Sequence, residues 1–368
     1  MSTTVRSFSK INLGLAIGPV RADGFHWLTT LYQTLAAHDL VTVTLRPAAA
    51  TRVSLTCNDQ RVPCDERNTA YQAALLALRS ANITADVSIH IEKRLPVQGG
   101  LGAGSANAAA ALIALERELR VHGMTMLSRA ERLQIAAEVG SDVPLFLIGG
   151  AVLGLGHGEE VYPMPDFPVT PCVLALPEIG VSTPEAFREW DARHEVGPES
   201  LEGHPERDMR APFAFWNVAA AATPAVASQL TPAPPSSRLN TLSRSLASAF
   251  CEPHSSGVFA SGADLVLNPL LALVRTGIEN DFEAVVFPQN PLFGEIKRVL
   301  AISDRPELAA VCAALSGSGS VLFGLYATRS AADAAEERLA KLGVRSMRTE
   351  TLPREAYWQR MMADEAAS

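Results

Sequence analysis

The chain contains the stretch Pro96-Val97-Gln98-Gly99-Gly100-Leu101-Gly102-Ala103-Gly104-Ser105-Ala106-Asn107-Ala108-Ala109-Ala110-Ala111-Leu112. Four of the six residues from Gly99 to Gly104 are glycine, so the backbone there can adopt positive φ and a ligand can lie directly against its N–H groups. The run from Asn107 to Arg120 is rich in alanine and leucine and contains no proline, which predicts a helix. The stretch therefore predicts a glycine-rich loop that leads into a helix.

A glycine-rich loop that leads into a helix favours the binding of an anion. The first turn of a helix leaves N–H groups without partners, and the positive end of the helix dipole attracts negative charge, most often a phosphate. The two common phosphate loops do not fit, because one ends in Gly-Lys-Ser/Thr and the other lies within a doubly wound unit. A glycine-rich turn can also be purely structural, so the loop alone leaves both interpretations open.

The order Gly-Leu-Gly-x-Gly-Ser-x-Asn-Ala-Ala is more specific than its glycine content. It resembles the second motif of the GHMP kinases, the superfamily of galacto-, homoserine, mevalonate and phosphomevalonate kinases. The resemblance implies that the residues from Pro96 to Ala106 wrap the phosphates of ATP. Many members have two consecutive serines after the glycines, whereas this chain has Ser105-Ala106. Ser105 is therefore the hydroxyl expected at the phosphates, and no residue is assigned to a metal ion.

A second motif lies near the N-terminus. Residues 4 to 18 alternate loosely between apolar and polar side chains, which predicts a strand. Lys10 and Asn12 are two residues apart and therefore face the same side of that strand. A lysine on such a strand is usually only solvated. However, Ser7-Phe8-Ser9-Lys10-Ile11-Asn12-Leu13 resembles the first GHMP motif, which implies a catalytic role for Lys10 and a substrate contact for Asn12.

The polar segment Arg21-Ala22-Asp23-Gly24-Phe25-His26 narrows the resemblance. It is similar to the Arg-x-Asp-Gly-Tyr-His segment of the 4-diphosphocytidyl-2-C-methyl-D-erythritol kinase family. The resemblance implies that Phe25 stacks on cytosine and that His26 hydrogen-bonds the edge of the base. Phenylalanine stands where tyrosine is common, which keeps the stacking face and loses a hydroxyl. A side chain that stabilises the turn is the alternative for His26.

The catalytic aspartate is expected just after a helix. Ser128-Arg129-Ala130-Glu131 predicts a capping box at the start of a helix that runs to about Val139, where Gly140 ends it. The following Ser141-Asp142-Val143-Pro144 resembles the family's Gly-Ala-Asp-Val-Pro sequence, which implies that Asp142 is the catalytic aspartate. An N-cap is the alternative for this residue.

Two further segments match the family. Asn68 opens a helix predicted to end at Ser80; the resemblance implies a nucleotide contact, and a simple N-cap is the alternative. The sequence from Ala314 to Phe323 resembles the third GHMP motif. Its two glycines predict a tight turn between a helix and a strand, and its hydroxyls are expected to brace the phosphate loop.

The remaining pattern alternates strands and helices. The runs 41–45 and 53–55 predict a hairpin and 87–91 a strand. Strands are also predicted at 173–176 and 344–352, and a helix at 330–342. The resemblance implies a turn between strands at 154–160 and a helix that starts near 183. It also implies a much shorter connection than residues 188–276, which are rich in proline near their middle. These residues are therefore predicted to form an insertion, with helices at 239–250 and 268–275.

Composition excludes some classes of function. The formal net charge of −8 argues against broad nucleic-acid binding, because neutralising phosphates along a strand requires a basic face. The N-terminal residues show no basic segment followed by an apolar one, and no apolar run is long enough to span a membrane. We therefore expect a cytoplasmic protein with small-molecule ligands, no membrane partner and a monomeric or homodimeric state.

The sequence thus predicts an α/β (α+β) fold of two domains, which the length allows. The resemblance implies the two-domain GHMP kinase fold, with an N-terminal ATP-binding domain at residues 1–165. A ferredoxin-like C-terminal domain at residues 166–368 would carry the insertion.

The resemblance also implies an activity in the non-mevalonate isoprenoid route, with ATP and Mg²⁺ as cofactors. The γ-phosphoryl group of ATP would pass to the 2-hydroxyl of 4-diphosphocytidyl-2-C-methyl-D-erythritol. Asp142 would accept the hydroxyl proton, and Lys10 would keep Asp142 ionised and stabilise charge on the phosphoryl oxygens. The alternatives are another small-molecule GHMP kinase, of the homoserine or mevalonate type, or a catalytically inactive regulatory protein with this fold.

Overall fold

The computed structural model describes residues 2–21, 24–125, 127–194 and 279–363. Within these ranges the strands are β1 (Thr3–Val20), β2 (His26–Pro47), β3 (Arg52–Cys57), β4 (Ala85–Glu92), β5 (Ala151–Leu155), β6 (Glu160–Pro163), β7 (Pro171–Leu176), β8 (Cys312–Leu315), β9 (Leu322–Leu325) and β10 (Arg345–Glu350). The α-helices are α1 (Thr69–Ser80), α2 (Ala103–Val121), α3 (Arg129–Val139), α4 (Thr183–His194), α5 (Phe282–Gln289), α6 (Pro291–Ala301), α7 (Arg329–Lys341) and α8 (Arg354–Gln359). Short 3₁₀ helices span Pro144–Leu147 and Pro306–Leu308.

The first sheet is built around the long antiparallel pair of β1 and β2. Its order is β3-β4-β2-β5-β6, with β1 paired to β2. Helix α2 packs against the pair, and its alanines from Ala108 to Ala111 are all buried. A helix that is apolar on every side belongs in the interior, so α2 is the central helix of this domain. It begins at Ala103, earlier than the predicted Asn107, because the N-cap Gly102 adopts the left-handed conformation that starts the helix inside the glycine loop.

The predicted hairpin of residues 41–45 and 53–55 is wrong. Strand β4 lies between β2 and β3, antiparallel to β2 and parallel to β3. Alternation marks both runs as strands, and it does not specify which strands pair. A parallel pair requires a crossover, which α1 supplies between β3 and β4.

The other predicted elements of this domain are confirmed. The strand over residues 4–18 lies within β1, and the strand over 87–91 lies within β4. The turn at 154–160 joins β5 and β6. The capping box at the start of α3 is complete, because the Ser128 side chain accepts from Glu131 N and the Glu131 side chain accepts from Ser128 N.

The second sheet has the order β10-β7-β9-β8 and is antiparallel throughout. In chain order, β7 is followed by α4, and after α5 and α6 come β8, β9, α7 and β10. This is the split βαβ arrangement of ferredoxin-like folds. The predicted ferredoxin-like architecture is therefore confirmed. The third motif joins the strands β8 and β9, so the prediction that it lies between a helix and a strand is wrong. The strand pattern there was too short to recognise, because β8 has only four residues.

The faces of the second sheet have different partners. On β7, Val173 and Ala175 pack with the helices, in a cluster that includes Trp190 and Phe293. The alternate residues Cys172 and Leu174 pack against side chains of the first domain and the glycine loop: Ile11, Leu13, Leu31, Leu35 and Leu101. The two domains thus share a continuous core at the point where β1 meets the glycine loop.

The C-terminal segment returns to the first domain. Tyr357 on α8 is buried and donates from its hydroxyl to Phe146 O at 2.6 Å, and Arg6 N donates to Met361 O at 2.8 Å. The predicted boundary at residues 165 and 166 falls between β6 and β7 and stays a prediction. Helix α4 extends into the predicted insertion, and the insertion's predicted helices at 239–250 and 268–275 lie outside the described residues.

Candidate active site

A cleft of about 950 Å³ lies where the glycine loop, β1 and α4 meet. Nearly all side chains that the sequence assigned to a site line this cleft: Lys10, Asn12, Phe25, His26, Asn68, Asp142 and the loop residues from Pro96 to Ser105. Ala106 does not line it, because it is buried in a core cluster with Tyr32 and Val152. The structure therefore brings the predicted site residues together from segments far apart in sequence.

Lys10 and Asp142 form an ion pair in the cleft. The Nζ atom of Lys10 lies 3.2 Å from Oδ2 of Asp142, and the two side chains are 4% and 29% exposed. Lys10 also donates to Asn12 Oδ1 at 2.6 Å, which the same-side placement on β1 predicts. Asn12 in turn donates from its amide nitrogen to Thr30 Oγ1 at 2.7 Å, so its oxygen is directed toward the lysine. The ammonium group is thus held in one position, with the partly exposed carboxylate beside it.

Tyr32 completes the surroundings of the aspartate, and no sequence motif indicated it. Its hydroxyl donates to Asp142 Oδ1 at 2.8 Å. Burial, and secondly the Asp142 charge, raise the pKa of Tyr32 well above its ordinary value. Tyr32 therefore stays a neutral donor that fixes the orientation of the carboxylate. Tyr32 lies opposite Asn12 in the register of β2 on β1, and the sequence does not specify that register.

The backbone of the glycine loop leaves no room for side chains at two positions. Gly100 has φ of +75°, and a Cβ there would lie 2.0 Å from the carbonyl oxygen of Ser316. Gly102 has φ of +66°, and a Cβ there would lie 3.0 Å from Lys10 Cε and from Phe146 Cζ. Gly102 is also the N-cap of α2 and provides no side-chain cap, so N–H groups of the first turn remain available. These features match the anion site that the sequence predicts.

The third motif braces the glycine loop, as predicted. The hydroxyl of Ser316 donates to Gly100 O at 2.9 Å, and Val321 N donates to Gly99 O at 3.2 Å. Asn280, for which the sequence predicted no role, donates from its amide nitrogen to the carbonyl oxygens of Leu315 and Gly317. The second domain thereby fixes the conformation of a loop that belongs to the first.

Aromatic side chains form a pocket in the wall of the cleft. Phe25 is 56% exposed and its ring lies 5.1 Å from that of His157, between centroids. His26 is buried and stacks on Phe187 of α4, with centroids 4.9 Å apart and planes 9° from parallel. Asp191, one turn further along α4, lies beside His26. Neither Phe187 nor Asp191 was predicted as a site residue; their spacing of four residues on a predicted helix, which places both on one face, was the available signal.

Asn68, Arg61 and Arg67 also line the cleft. Asn68 is the N-cap of α1, because its side-chain oxygen accepts from Ala70 N at 2.9 Å, and its amide nitrogen donates to Pro63 O. This capping role is confirmed, whereas the nucleotide contact of Asn68 stays a prediction. Lys93 also reaches the cleft, where it pairs with the fully buried Asp39.

No helix in the described part of the chain is long and apolar enough to cross a membrane.

Comparisons with known proteins show which family the chain resembles. Residues 68–150 match the family of GHMP kinases N terminal domain. The 4-diphosphocytidyl-2-C-methyl-D-erythritol kinase of Solibacter usitatus is 32% identical over 375 residues, covering 100% of this chain and 96% of the relative. The enzyme of the same name from Synechococcus sp. is 32% identical, covering 92% of this chain and 89% of the relative.

Solved structures show the same fold. A crystal structure of 4-(cytidine 5'-diphospho)-2C-methyl-D-erythritol kinase superposes with a TM-score of 0.59 at 24% identity, covering 95% of this chain and 99% of that one. A homoserine kinase from Cytophaga hutchinsonii gives a TM-score of 0.61 at 18% identity, covering 96% and 95%. Structural likeness thus extends to more than one kind of kinase. The two relatives at 32% identity share one name, 4-diphosphocytidyl-2-C-methyl-D-erythritol kinase. The chain belongs to the 4-diphosphocytidyl-2-C-methyl-D-erythritol kinase family.

Proposed function

We propose that the chain transfers the γ-phosphoryl group of ATP to the 2-hydroxyl of 4-diphosphocytidyl-2-C-methyl-D-erythritol. The observation that carries the proposal is the Lys10–Asp142 pair, which lies in one cleft with the glycine loop and the aromatic pocket. A phosphoryl transfer depends on alignment and charge stabilisation more than on covalent chemistry. The cleft offers a phosphate cradle, a base and an aromatic recognition pocket along one surface.

Asp142 acts as the general base in this proposal. Its Oδ1 accepts from Tyr32 and its Oδ2 faces Lys10, so the carboxylate is oriented from both sides while 29% of its side chain remains exposed to the cleft. A base must reach the proton that it removes, and this exposure leaves access for an acceptor hydroxyl. The ammonium of Lys10 lies beside the carboxylate and stabilises negative charge on the transferred phosphoryl group.

The glycine loop binds the phosphates. The residues present fit such a group, because Gly100 and Gly102 adopt positive φ in a tightly packed loop and α2 begins without a side-chain cap. The Ser105 hydroxyl lies in the first turn of α2 and lines the cleft, so it is the side-chain donor that the loop offers to a phosphate. Asn68 and the residues around it would then lie toward the nucleoside of ATP.

Mg²⁺ would be bound through the phosphates more than through the protein. The described residues contain no group of three or more His, Cys, Asp or Glu side chains that could hold a metal ion. Magnesium commonly keeps several waters and binds through substrate phosphates, so it does not require such a group in order to act with ATP. When bound, the ion screens the charge of the triphosphate.

The aromatic pocket binds the cytosine. Phe25 presents an exposed ring, and Phe187 stacks on His26 in the wall beside it. Base–aromatic stacking contributes about 1–3 kcal/mol per base in nucleic-acid complexes. His26 is buried and hydrogen-bonded at Nδ1 to Gly18 O at 3.0 Å, so its ring is held in a fixed orientation for recognition of the base edge.

A coupled ADP-release assay tests the proposal. ATP and Mg²⁺ would be supplied with the cytidyl substrate, homoserine or mevalonate as the acceptor, and the Asp142→Asn variant would serve as the blank. Of the three acceptors, we expect only the cytidyl substrate to give ADP release. Turnover of homoserine or mevalonate would contradict the substrate assignment, and release with none of the acceptors would support a regulatory protein. A cytoplasmic location and a monomeric or homodimeric state remain predictions.

A further inference from the structure

Asp191 of α4 faces the nitrogen of His26 that points away from the strand. The Oδ1 atom of Asp191 lies 3.2 Å from Nε2 of His26, whose side chain is 7% exposed. That oxygen is itself buried and makes no hydrogen bond of acceptable geometry with any described residue. Oδ1 has no surface that a ligand could contact, so the exposed remainder of the carboxylate is the part that can accept from a donor outside the protein.

His26 holds its ring in a fixed orientation beside Asp191. The carbonyl oxygen of Gly18 can only accept, so Nδ1 of His26 carries the hydrogen that it shares with that oxygen. Nε2 then faces Oδ1 of Asp191. A carboxylate can only accept, so the part of Asp191 that is open to the cleft suits a ligand that presents an N–H donor, such as an amino group.

The position of Asp191 is fixed by the helix that carries it. Ala186 and Trp190 of α4 are buried in the core of the second domain. Phe187 lies four residues before Asp191, on the same face, and stacks on His26. Both side chains line the cleft, and the Asp191 side chain is 38% exposed there. The carboxylate is therefore held at the edge of the aromatic pocket, in reach of a base stacked within it.

We propose that Asp191 determines specificity for the base by accepting a hydrogen bond from the exocyclic amino group of cytosine. The inference rests on the proposed function, because it takes the cytidyl group to occupy the aromatic pocket. Asp and Glu are the side chains that accept from the N4 amino group of cytosine in nucleic-acid recognition. In uracil a carbonyl oxygen replaces that amino group, and it would face the carboxylate with no hydrogen between them.

The test compares two ligands in three proteins. Binding of cytidine diphosphate and of uridine diphosphate would be measured by calorimetry with a non-hydrolysable ATP analogue in excess, so that the nucleotide site is filled. The proteins are the parent, Asp191→Asn and the control Glu189→Gln. Glu189 lies on the same helix, pairs with Arg193 and does not line the cleft. The control therefore makes the same chemical change away from the base.

We expect the parent and Glu189→Gln to prefer cytidine diphosphate. In Asp191→Asn the ratio of the two dissociation constants should fall by about 5- to 150-fold, the range that one base-edge contact provides. The amide can present either an oxygen or an amino group, so uridine diphosphate should bind more tightly than it does to the parent. A ratio within twofold of the parent in Asp191→Asn would overturn the inference.

Two further readouts keep the test decisive. If Asp191→Asn fails to fold, as judged by circular dichroism, Asp191→Glu preserves the charge and moves the carboxylate by one methylene. It should also reduce the ratio, and an unchanged ratio would again overturn the inference.

Kinase activity of the parent toward the cytidyl substrate is measured separately. Its loss would contradict the proposed function, whereas a preference for cytidine diphosphate that Asp191→Asn abolishes would still support the role of Asp191.

Discussion

Lys10 Nζ lies 3.2 Å from Asp142 Oδ2, although Lys10 belongs to β1 and Asp142 to the turn after α3. The lysine side chain is 4% exposed and makes a second contact with Asn12 Oδ1. A charge so little exposed to water needs its partner, because an unpaired buried charge is strongly destabilising. The pair therefore links the stability of the cleft to its chemistry, and every variant below requires a folding control.

Asp142→Asn should bind both substrates and lose most of its turnover. The amide is nearly isosteric with the carboxylate but cannot accept the proton, and general-base catalysis commonly contributes about 10²- to 10⁴-fold. Steady-state kinetics would give kcat, and calorimetry would give the affinities. A kcat within about threefold of the parent would remove Asp142 from the role of general base.

Lys10→Ala should lower kcat by orders of magnitude, because it removes a positive charge at the place where negative charge develops on the phosphoryl group. Lys341→Ala is the matched control, since Lys341 is exposed in the last turn of α7. Both would be assayed over a range of ATP concentrations. If Lys10→Ala keeps the parent kcat and only raises KM for ATP, Lys10 is a binding residue.

Gly102→Val should abolish measurable ATP binding while the protein remains folded. The new side chain would push against Lys10 and Phe146 at a position with φ of +66°, where the backbone is proposed to approach phosphate. Gly123→Val is an informative control, because Gly123 has the same φ and a Cβ there would meet no atom within 4 Å. ATP affinity by calorimetry and folding by circular dichroism separate strain from lost binding. Normal affinity in folded Gly102→Val would mean that the nucleotide lies elsewhere.

Phe25→Ala should raise KM for the cytidyl substrate by about 5- to 150-fold and leave KM for ATP nearly unchanged, because a stacking contact of about 1–3 kcal/mol is lost. Phe25→Tyr should behave like the parent, since the ring face is retained. The measurement is KM for each substrate with the other saturating. If Phe25→Ala leaves the cytidyl KM unaltered, the base does not stack on this ring.

Tyr32→Phe should lower kcat about tenfold with little change in either KM, because Asp142 loses the donor that orients it. Burial and the Asp142 charge raise the pKa of Tyr32 well above its ordinary value, so the hydroxyl remains protonated and donating at alkaline pH. Between pH 7 and 10 the parent should therefore show no loss of activity that is absent in Tyr32→Phe. A decline confined to the parent in that range would show that Tyr32 ionises there.

The sequence was sufficient for features that depend on local pattern. Alternation on β1 predicted that Lys10 and Asn12 share a side, and the Ser128 capping box was predicted in full. It was insufficient where partners come from distant segments. The insertion of β4 between β2 and β3, the hydrogen bond from Tyr32 to Asp142, and the position of Asp191 beside His26 all depend on tertiary packing. Local spacing places Phe187 and Asp191 on one face of a helix, but it does not show which distant side chain lies beside them.

The chemical identity of the product is the sharpest test of the proposed phosphoryl transfer. The parent enzyme would be incubated with ATP, Mg²⁺ and 4-diphosphocytidyl-2-C-methyl-D-erythritol, and the mixture followed by ³¹P nuclear magnetic resonance. We predict a new phosphomonoester resonance that grows in step with ADP, with the diphosphate resonances of the cytidyl group retained, and that is absent with Asp142→Asn. Formation of inorganic phosphate and ADP without the phosphomonoester, or the absence of any reaction, would contradict the proposal.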